Sequence, residues 1–274
     1  MKNTVATFQA AKGQSRLSML TCYDYSMARI MDECGVNALL VGDSLGMVML
    51  GYPDTVSVTM EEMIHHCAAV SRGASNVLVI CDMPFLSSQC GITETVRNAG
   101  RLLKEGHAQA VKMEGGSSFA PEIAALVRAS IPVMAHIGLT PQSVHAIGGY
   151  KVQGKDAKTA EKLLADAKIL EDAGAFSLLL ECVPAELAAR ITEIVKIPVI
   201  GIGAGPHCDG QVLVCQDMLG INTQLSPRFV RRFADCGDLV RNAVKSYCAA
   251  VNDGSFPALH ESYCSVIEPG QRKE

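Results

Sequence analysis

The sequence predicts an α/β protein built as a single (β/α)₈ barrel. Eight short apolar runs, each near a Gly, Pro, Asp or Asn, follow one another along the 274 residues, and helical patterns lie between most of them. Most runs are continuously apolar rather than alternating, which is typical of parallel strands covered on both faces. A doubly wound sheet usually has fewer strands and carries a nucleotide fingerprint after its first strand, so the barrel is favoured.

The predicted strands are spaced for intervening helices except near the end of the series. Only five residues separate the seventh strand from the eighth, so the helix expected there is absent or reduced to one turn. We assign all 274 residues to one domain, with 1–15 as an N-terminal extension and 265–274 as a polar C-terminal tail. The predicted strands are residues 17–23, 38–43, 76–82, 108–115, 132–138, 176–183, 198–205 and 211–215.

Capping signals predict where several helices begin and end. Thr59 and Glu62 have the spacing of a capping box before an apolar stretch. Asp156 precedes an amphipathic pattern that stops at Gly174, and Pro184 stands where another helix would begin. Further helices are expected after Asp24, Thr93 and Ala120.

Composition narrows the class of protein and its partners. Hydrophobic residues make up 49% of the chain, yet no apolar run approaches the roughly 18–20 residues of a membrane span. The first twenty residues contain no apolar signal core, so we expect a cytoplasmic protein with no membrane association. The net charge is −4 without a basic cluster, so nucleic acid is not an expected partner. Eleven cysteines without a C-x-x-C pair indicate neither a disulfide framework nor a thiolate zinc site.

Polar side chains end five of the predicted strands. The active sites of such barrels gather at the C-terminal ends of the strands, so these side chains are candidates for one common site. Period-two alternation places Lys112 and Glu114 on the same face of their strand, where both can point into the barrel mouth. The candidates, in strand order, are Asp43 with Ser44, Asp82, Lys112 with Glu114, His136, and Glu181.

The acidic residues indicate a metal site. An Asp that follows a strand is also common turn chemistry, so Asp43 or Asp82 taken singly has a structural explanation. Four carboxylates at one barrel mouth would repel one another, however, and a divalent cation together with Lys112 would remove that cost. Ligands that are all oxygen favour Mg²⁺ or Mn²⁺ over Zn²⁺. We expect Asp43 and Asp82 to bind the metal directly and Glu114 to bind it through water.

The remaining candidates have two interpretations each. Glu181 is either a general base or a helix cap, and Glu is a poor N-cap residue. His136 is either a hydrogen-bonded structural residue or part of the site lining. Gly201 and Gly203 belong to "GIGAG", which lacks the spacing and the following helix of a dinucleotide loop. These small residues are candidates for lining the site or for packing the barrel rim.

Eight motifs together identify a family. They are "TCYDYS" (21–26), "LVGDSLGM" (40–47), "DMPF" (82–85), "VKMEGG" (111–116), "HIGLTPQSV" (136–144), "GGYKVQG" (148–154), "LECVP" (180–184) and "IPVIGIGAG" (197–205). In order and in spacing, from about residue 4 to 260, the chain closely resembles the ketopantoate hydroxymethyltransferases. The resemblance implies a TIM barrel of the phosphoenolpyruvate/pyruvate-binding superfamily, assembled as a homodecamer.

The resemblance also implies a reaction and the roles of the site residues. A hydroxymethyl group passes from 5,10-methylenetetrahydrofolate to 3-methyl-2-oxobutanoate through a metal-stabilised enolate, giving 2-dehydropantoate in pantothenate and coenzyme A biosynthesis. One Mg²⁺ per subunit would be held by Asp43, Asp82 and Glu114. The 2-oxo acid would contact Asp43, Ser44, Asp82 and Lys112, and Glu181 would be the proton acceptor.

Two other functions remain open at the level of sequence. One is a metal-dependent 2-oxo acid C–C lyase of the same superfamily, although no loop similar to "KKCGH" is present. The other is a non-catalytic sensor of a 2-oxo acid or folate, which is expected to have lost the base or the metal ligands. A product assay with and without methylenetetrahydrofolate separates the enzymes, and metal-dependent proton exchange separates an enzyme from a sensor.

Overall fold

A closed barrel of eight parallel strands forms the protein in the computed structural model, which describes residues 2–222 and 227–263. Each strand pairs with the next in the sequence, and the eighth closes the barrel against the first. The predicted (β/α)₈ architecture is confirmed. The strands are β1 (Leu17–Thr21), β2 (Ala38–Val41), β3 (Leu78–Asp82), β4 (Ala110–Glu114), β5 (Val133–Gly138), β6 (Ser177–Glu181), β7 (Val199–Ile202) and β8 (Gly210–Leu213).

Helices begin where the capping signals predict. Thr59 accepts a hydrogen bond from the Glu62 N–H, and the Glu62 carboxylate accepts one from the Thr59 N–H. Asp156 is the N-cap of the helix that begins at Ala157, as its place before the amphipathic pattern predicts. The helices are α1 (Val5–Ala10), α2 (Tyr25–Glu33), α3 (Leu45–Val48), α4 (Met60–Gly73), α5 (Ile92–Lys104), α6 (Ala120–Arg128), α7 (Val144–Ile147), α8 (Ala157–Asp172), α9 (Ala185–Ile194), α10 (Cys215–Met218) and α11 (Cys236–Asp253).

The connection between β7 and β8 is short, as predicted. Residues 203–209 form turns and bends without a helix. The Lys12 ammonium lies beside this connection. It donates to the Thr192 carbonyl and to Asp209 Oδ2, which is 2.8 Å from Nζ. The Asp209 carboxylate also accepts the Val199 N–H at 2.9 Å, which ties the start of β7 to the start of β8.

The hydrophobic core has two layers, one inside the barrel and one between the strands and the helices. Phe8 of α1 belongs to the inner layer and is only 1% exposed. Its ring meets that of Phe176 edge-on, with centroids 5.9 Å apart, just before the start of β6. The predicted N-terminal extension therefore closes the end of the barrel opposite the predicted site. The predicted tail at 265–274 lies outside the described residues.

No helix within the described ranges is long and apolar enough to cross a membrane. The ten cysteines that those ranges contain are all free. Helix α11 projects several exposed apolar side chains, namely Leu239, Val240, Val244, Tyr247 and Val251.

Candidate active site

A cavity of about 580 Å³ opens at the C-terminal ends of the strands. Its floor contains the polar residues that the sequence singles out, and its walls are mostly apolar. The polar lining residues include Thr21, Asp43, Ser44, Asp82, Lys112, Glu114, His136 and Glu181. The structure thus brings all seven candidates at the strand ends into one cavity.

The turn after β2 carries Asp43 and Ser44 into this cavity. The Gly46 N–H donates to the Asp43 carbonyl at 3.0 Å, which starts the short helix α3. A Cβ on Gly42 would lie 2.8 Å from Ser44 Oγ and 3.4 Å from Asp82 Oδ2, so a side chain there would enter the site. The glycine is needed because the backbone passes this close to two polar groups. The turn and the site are therefore the same structure.

Asp82 and Lys112 form the centre of the floor. They are direct partners across the β3–β4 pair, and Lys112 Nζ lies 2.6 Å from Asp82 Oδ1. Asp82 Oδ2 also accepts the Asp43 N–H at 3.1 Å. Burial, Asp82 and Glu114 raise the pKa of Asp43 well above its usual range, whereas Lys112 opposes the shift. The floor therefore carries more carboxylate than its single lysine neutralises.

A row of three side chains leads from the floor to the cavity wall. Glu114 pairs with His136 across β4 and β5, and Glu114 Oε1 lies 3.3 Å from His136 Nδ1. On the other side His136 Nε2 lies 3.4 Å from Glu181 Oε2. Burial, with Lys112, lowers the pKa of His136, although Glu114 and Asp82 oppose the shift. His136 thus lies between two carboxylates, and its place in the lining is as expected.

Glu181 is the candidate base, and its surroundings suit that role. Its side chain stays 17% exposed at the cavity wall. Burial and the charge of Glu114 raise its pKa to about 8. The alternative role as a helix cap is not seen, because the N-cap of α9 is Pro184 and has no side-chain cap. A carboxylate with a raised pKa is a stronger base than an ordinary one once it has lost its proton.

Sequence reasoning missed Thr21, which lines the cavity, and two residues that contact side chains of the site. The Tyr23 hydroxyl is 2.8 Å from Ser44 Oγ, and its ring is buried. Gln142 contacts both Asp43 and Glu114. Both residues lie within quoted motifs, "TCYDYS" and "HIGLTPQSV". Tyr23 ends the predicted strand 17–23, but its aromatic ring also fits the core, and Gln142 lies in the turn that follows β5, so neither has the signal of a charged strand end.

Comparison with known proteins decides the family. The model of the family described as ketopantoate hydroxymethyltransferase matches residues 2–259. The chain belongs to the ketopantoate hydroxymethyltransferase family. It is 59% identical over 269 residues to the 3-methyl-2-oxobutanoate hydroxymethyltransferase of Clostridium novyi (strain NT), covering 98% of this chain and 97% of the relative. The enzyme of that name from Enterococcus faecalis (strain ATCC 700802 / V583) is 57% identical over 264 residues, or 96% of each chain. The chain is thus an enzyme, a hydroxymethyltransferase.

Solved structures with similar folds come from lyases and hydrolases. A 2,3-dimethylmalate lyase of the PEP mutase/isocitrate lyase superfamily matches with a TM-score of 0.60 at 18% identity, covering 96% of this chain and 92% of its own. Phosphonopyruvate hydrolase, solved in complex with oxalate and Mg²⁺, matches with a TM-score of 0.62 at 13% identity, covering 94% and 93%. At these identities the likeness concerns the fold alone, a closed barrel of eight parallel strands.

The two glycines predicted as lining residues are not among those that line the cavity. Gly201 follows inward-facing Ile200 on β7 and therefore faces outward, where a Cβ would lie 2.9 Å from Cys208 Sγ. Gly203 has φ +62°, and a Cβ there would lie 2.9 Å from the Phe229 ring, which does line the cavity. Gly203 shapes the wall by letting Phe229 pack against the end of β7. The rim-packing interpretation describes both residues better.

The acidic floor has the chemistry of a divalent-cation site in this family member. Asp43, Asp82 and Glu114 offer only oxygen donors, which suit a hard cation. Three buried carboxylates face one lysine, and a divalent cation would offset the excess negative charge. Within residues 2–222 and 227–263, no three His, Cys, Asp or Glu side chains are already arranged as a ligand set. Lys112 instead holds Asp82, so the metal ligands stay a prediction.

Proposed function

We propose that the enzyme transfers a hydroxymethyl group from 5,10-methylenetetrahydrofolate to 3-methyl-2-oxobutanoate, giving 2-dehydropantoate, the first step of pantothenate biosynthesis. The names of its close relatives support the 2-oxo acid as substrate. The observation that carries the proposal is the position of Glu181 on the wall of a cavity whose floor gathers Lys112 and the carboxylates of Asp43, Asp82 and Glu114.

The floor is suited to bind the carboxylate and keto oxygens of the substrate. Lys112 supplies a buried positive charge, and Ser44 supplies a hydroxyl whose position Tyr23 supports. Asp43, Asp82 and Glu114 would hold Mg²⁺, one per subunit. When bound, the cation would act as a Lewis acid that stabilises negative charge developing on the keto oxygen.

Glu181 would then remove the proton from C3 of the 2-oxo acid. His136 Nε2 lies 3.4 Å from Glu181 Oε2, close to the carboxylate that would take this proton. The carbon that has lost its proton bonds to the methylene carbon of the folate, whose two C–N bonds break, and water supplies the hydroxyl oxygen of the new group. The proton taken by Glu181 and the remaining proton of the water go to the two nitrogens of the released tetrahydrofolate. Positioned general bases contribute about 10²–10⁴ in rate, so charge stabilisation at the floor supplies much of the remainder.

The outer half of the cavity is the proposed place of the folate. A small 2-oxo acid on the floor leaves much of the 580 Å³ for a second substrate. The outer walls are apolar and aromatic, as suits a flat heterocycle. They are formed by Met47, Tyr150, Val152, Pro227 and Phe229.

The two rival functions are less well supported. Lyases share the barrel at 18% identity, whereas hydroxymethyltransferases share 54–59% of the sequence over nearly the whole chain. A sensor is expected to lack the base or the acidic residues, and Glu181, Asp43, Asp82 and Glu114 are all present at the cavity. A product assay tests the proposal. We expect 2-dehydropantoate only when methylenetetrahydrofolate is present, and cleavage of a 2-oxo acid without folate would support a lyase.

We further propose that the enzyme acts in the cytoplasm as a homo-oligomer, a decamer by family resemblance. The apolar face of α11 supports self-association, because Leu239 and Val244 are 68% and 55% exposed on a single chain. Contiguous exposed apolar side chains of this kind mark interaction surfaces. A second copy of the chain is the expected partner.

A further inference from the structure

We propose that Gln142 is a positioning residue, which holds the carboxylates of Asp43 and Glu114 in the arrangement that receives the divalent cation. This inference rests on the proposed function, because both carboxylates are predicted metal ligands. Gln142 lies in the 3₁₀ turn Pro141–Ser143 that follows β5, and its side chain is 95% buried, with a relative exposure of 5%.

Three hydrogen bonds fix Gln142 against the site. Its Nε2 donates to Asp43 Oδ2 at 2.8 Å and to the Met83 carbonyl at 2.9 Å. Its backbone N–H donates to Glu114 Oε2 at 3.1 Å. Both partners of Nε2 are acceptors, so only this orientation of the amide satisfies them. One residue thus connects the segments that follow β2 and β3 with the end of β4.

These contacts act where the carboxylates repel each other. Asp43 and Glu114 are both about 4% exposed, so water screens their repulsion weakly. Donors placed on one oxygen of each group hold them near each other and fix their rotation. Side chains that orient metal ligands in this way typically change metal affinity by about 10–100-fold when they are replaced.

A second observation points to a ligand beside Gln142. Its Oε1 is buried and has no hydrogen-bond partner within the described residues. A buried amide oxygen without a partner is costly, and most such atoms in native proteins bind water. Mg²⁺ usually keeps several of its waters. The free oxygen therefore offers an acceptor for a water molecule carried by the cation.

A purely structural role makes a different prediction. If Gln142 only fastens its loop, replacement lowers stability and leaves the intrinsic metal affinity of the folded protein unchanged. If it positions the carboxylates, the affinity falls even in fully folded protein. Metal affinity, measured without turnover, therefore separates the two roles.

The test is direct titration of the full-length enzyme with Mn²⁺, followed by electron paramagnetic resonance. Gln142→Met keeps the length of the side chain and removes the Nε2 donor to Asp43, while the backbone N–H that donates to Glu114 remains. We expect the Kd for Mn²⁺ to rise about 10–100-fold. The matched control is Gln153→Met. Gln153 lies on the same β5–α8 connection, and its Nε2 donates to the Lys151 carbonyl at 2.9 Å rather than to a carboxylate of the site. We expect the control to stay within about twofold of the native Kd.

Each other outcome overturns the inference. Native affinity in folded Gln142→Met shows that the residue does not position the ligands. If that variant does not fold, Gln142→Asn is titrated instead, because it keeps the amide and withdraws it by one methylene. Native affinity in folded Gln142→Asn overturns the inference in the same way. Failure of both variants to fold assigns Gln142 to the stability of the fold. Native enzyme that binds no Mn²⁺ removes the predicted metal site itself, a result distinct from the loss of Gln142's role alone.

Discussion

Replacing Lys112 by Met tests how the acidic floor is stabilised. Met has a similar length but no charge, so the substitution removes the ammonium that lies 2.6 Å from Asp82 Oδ1 and 3.7 Å from Glu114 Oε1. The side chains of all three residues are at most 4% exposed. Removing one partner of such a buried pair typically costs about 3–5 kcal/mol, because a buried charge is left uncompensated. We expect this loss in the free energy of unfolding at about pH 8.

The loss should depend on pH with a definite sign. Burial already raises the pKa of Asp82 in the native enzyme, although Lys112 opposes the shift. Without Lys112 the pKa of this carboxyl rises further in the folded state. When the pKa of a carboxyl is higher in the folded protein than in the unfolded chain, the folded protein loses stability as the pH rises from the lower pKa towards the higher one. The deficit of Lys112→Met should therefore be smaller at about pH 5 than at about pH 8.

Urea unfolding in EDTA at a fixed protein concentration, followed by circular dichroism, measures both effects. Arg97→Met is the control, because it breaks an ion pair of 2.7 Å with Glu94 whose members are 64% and 38% exposed. Exposed pairs contribute about 0–1 kcal/mol, so this variant should differ little from the native enzyme. A Lys112→Met variant as stable as that control at both pH values would refute the reasoning.

Three further changes probe other parts of the molecule. Tyr23→Phe removes the hydrogen-bond partner of the Ser44 hydroxyl. Steady-state kinetics should show the KM for the 2-oxo acid rising about 2–10-fold, as expected for the loss of one hydrogen bond. An unchanged KM would contradict the role of Ser44. Phe8→Ala should cost about 3–5 kcal/mol in urea unfolding, because it empties the closed end of the barrel. KM should not change, since Phe8 lies at the end opposite the cavity. Val244→Glu should lower the mass measured by light scattering, and native assembly in this variant would exclude the α11 face as the subunit contact.

The strands and the acidic residues were predictable because both follow from simple chemistry. A strand buried on both faces is an uninterrupted apolar run, and it must end where a polar side chain reaches the barrel mouth. Asp43, Asp82 and Glu181 were found at such ends, and the structure brings them to one cavity. The pairing of Asp82 with Lys112 also follows from the register of β3 and β4.

Other features depend on contacts that no local pattern contains. Gln142 lies in a loop, and its proposed role depends on hydrogen bonds to Asp43 and Glu114, which are distant in sequence. Phe8 stands in a polar segment, and only the closed barrel supplies its partner Phe176. The outward direction of Gly201 was hidden because both faces of β7 are apolar, so alternation gives no signal.

Proton exchange at C3 of 3-methyl-2-oxobutanoate tests the central claim most directly. The reaction is run in deuterated water without folate and followed by nuclear magnetic resonance, with Mg²⁺ or with EDTA. We expect the native enzyme to exchange the proton only with Mg²⁺, and Glu181→Gln to be slower by about 10²–10⁴-fold. Exchange by Glu181→Gln at the native rate would contradict the assignment of Glu181 as the base.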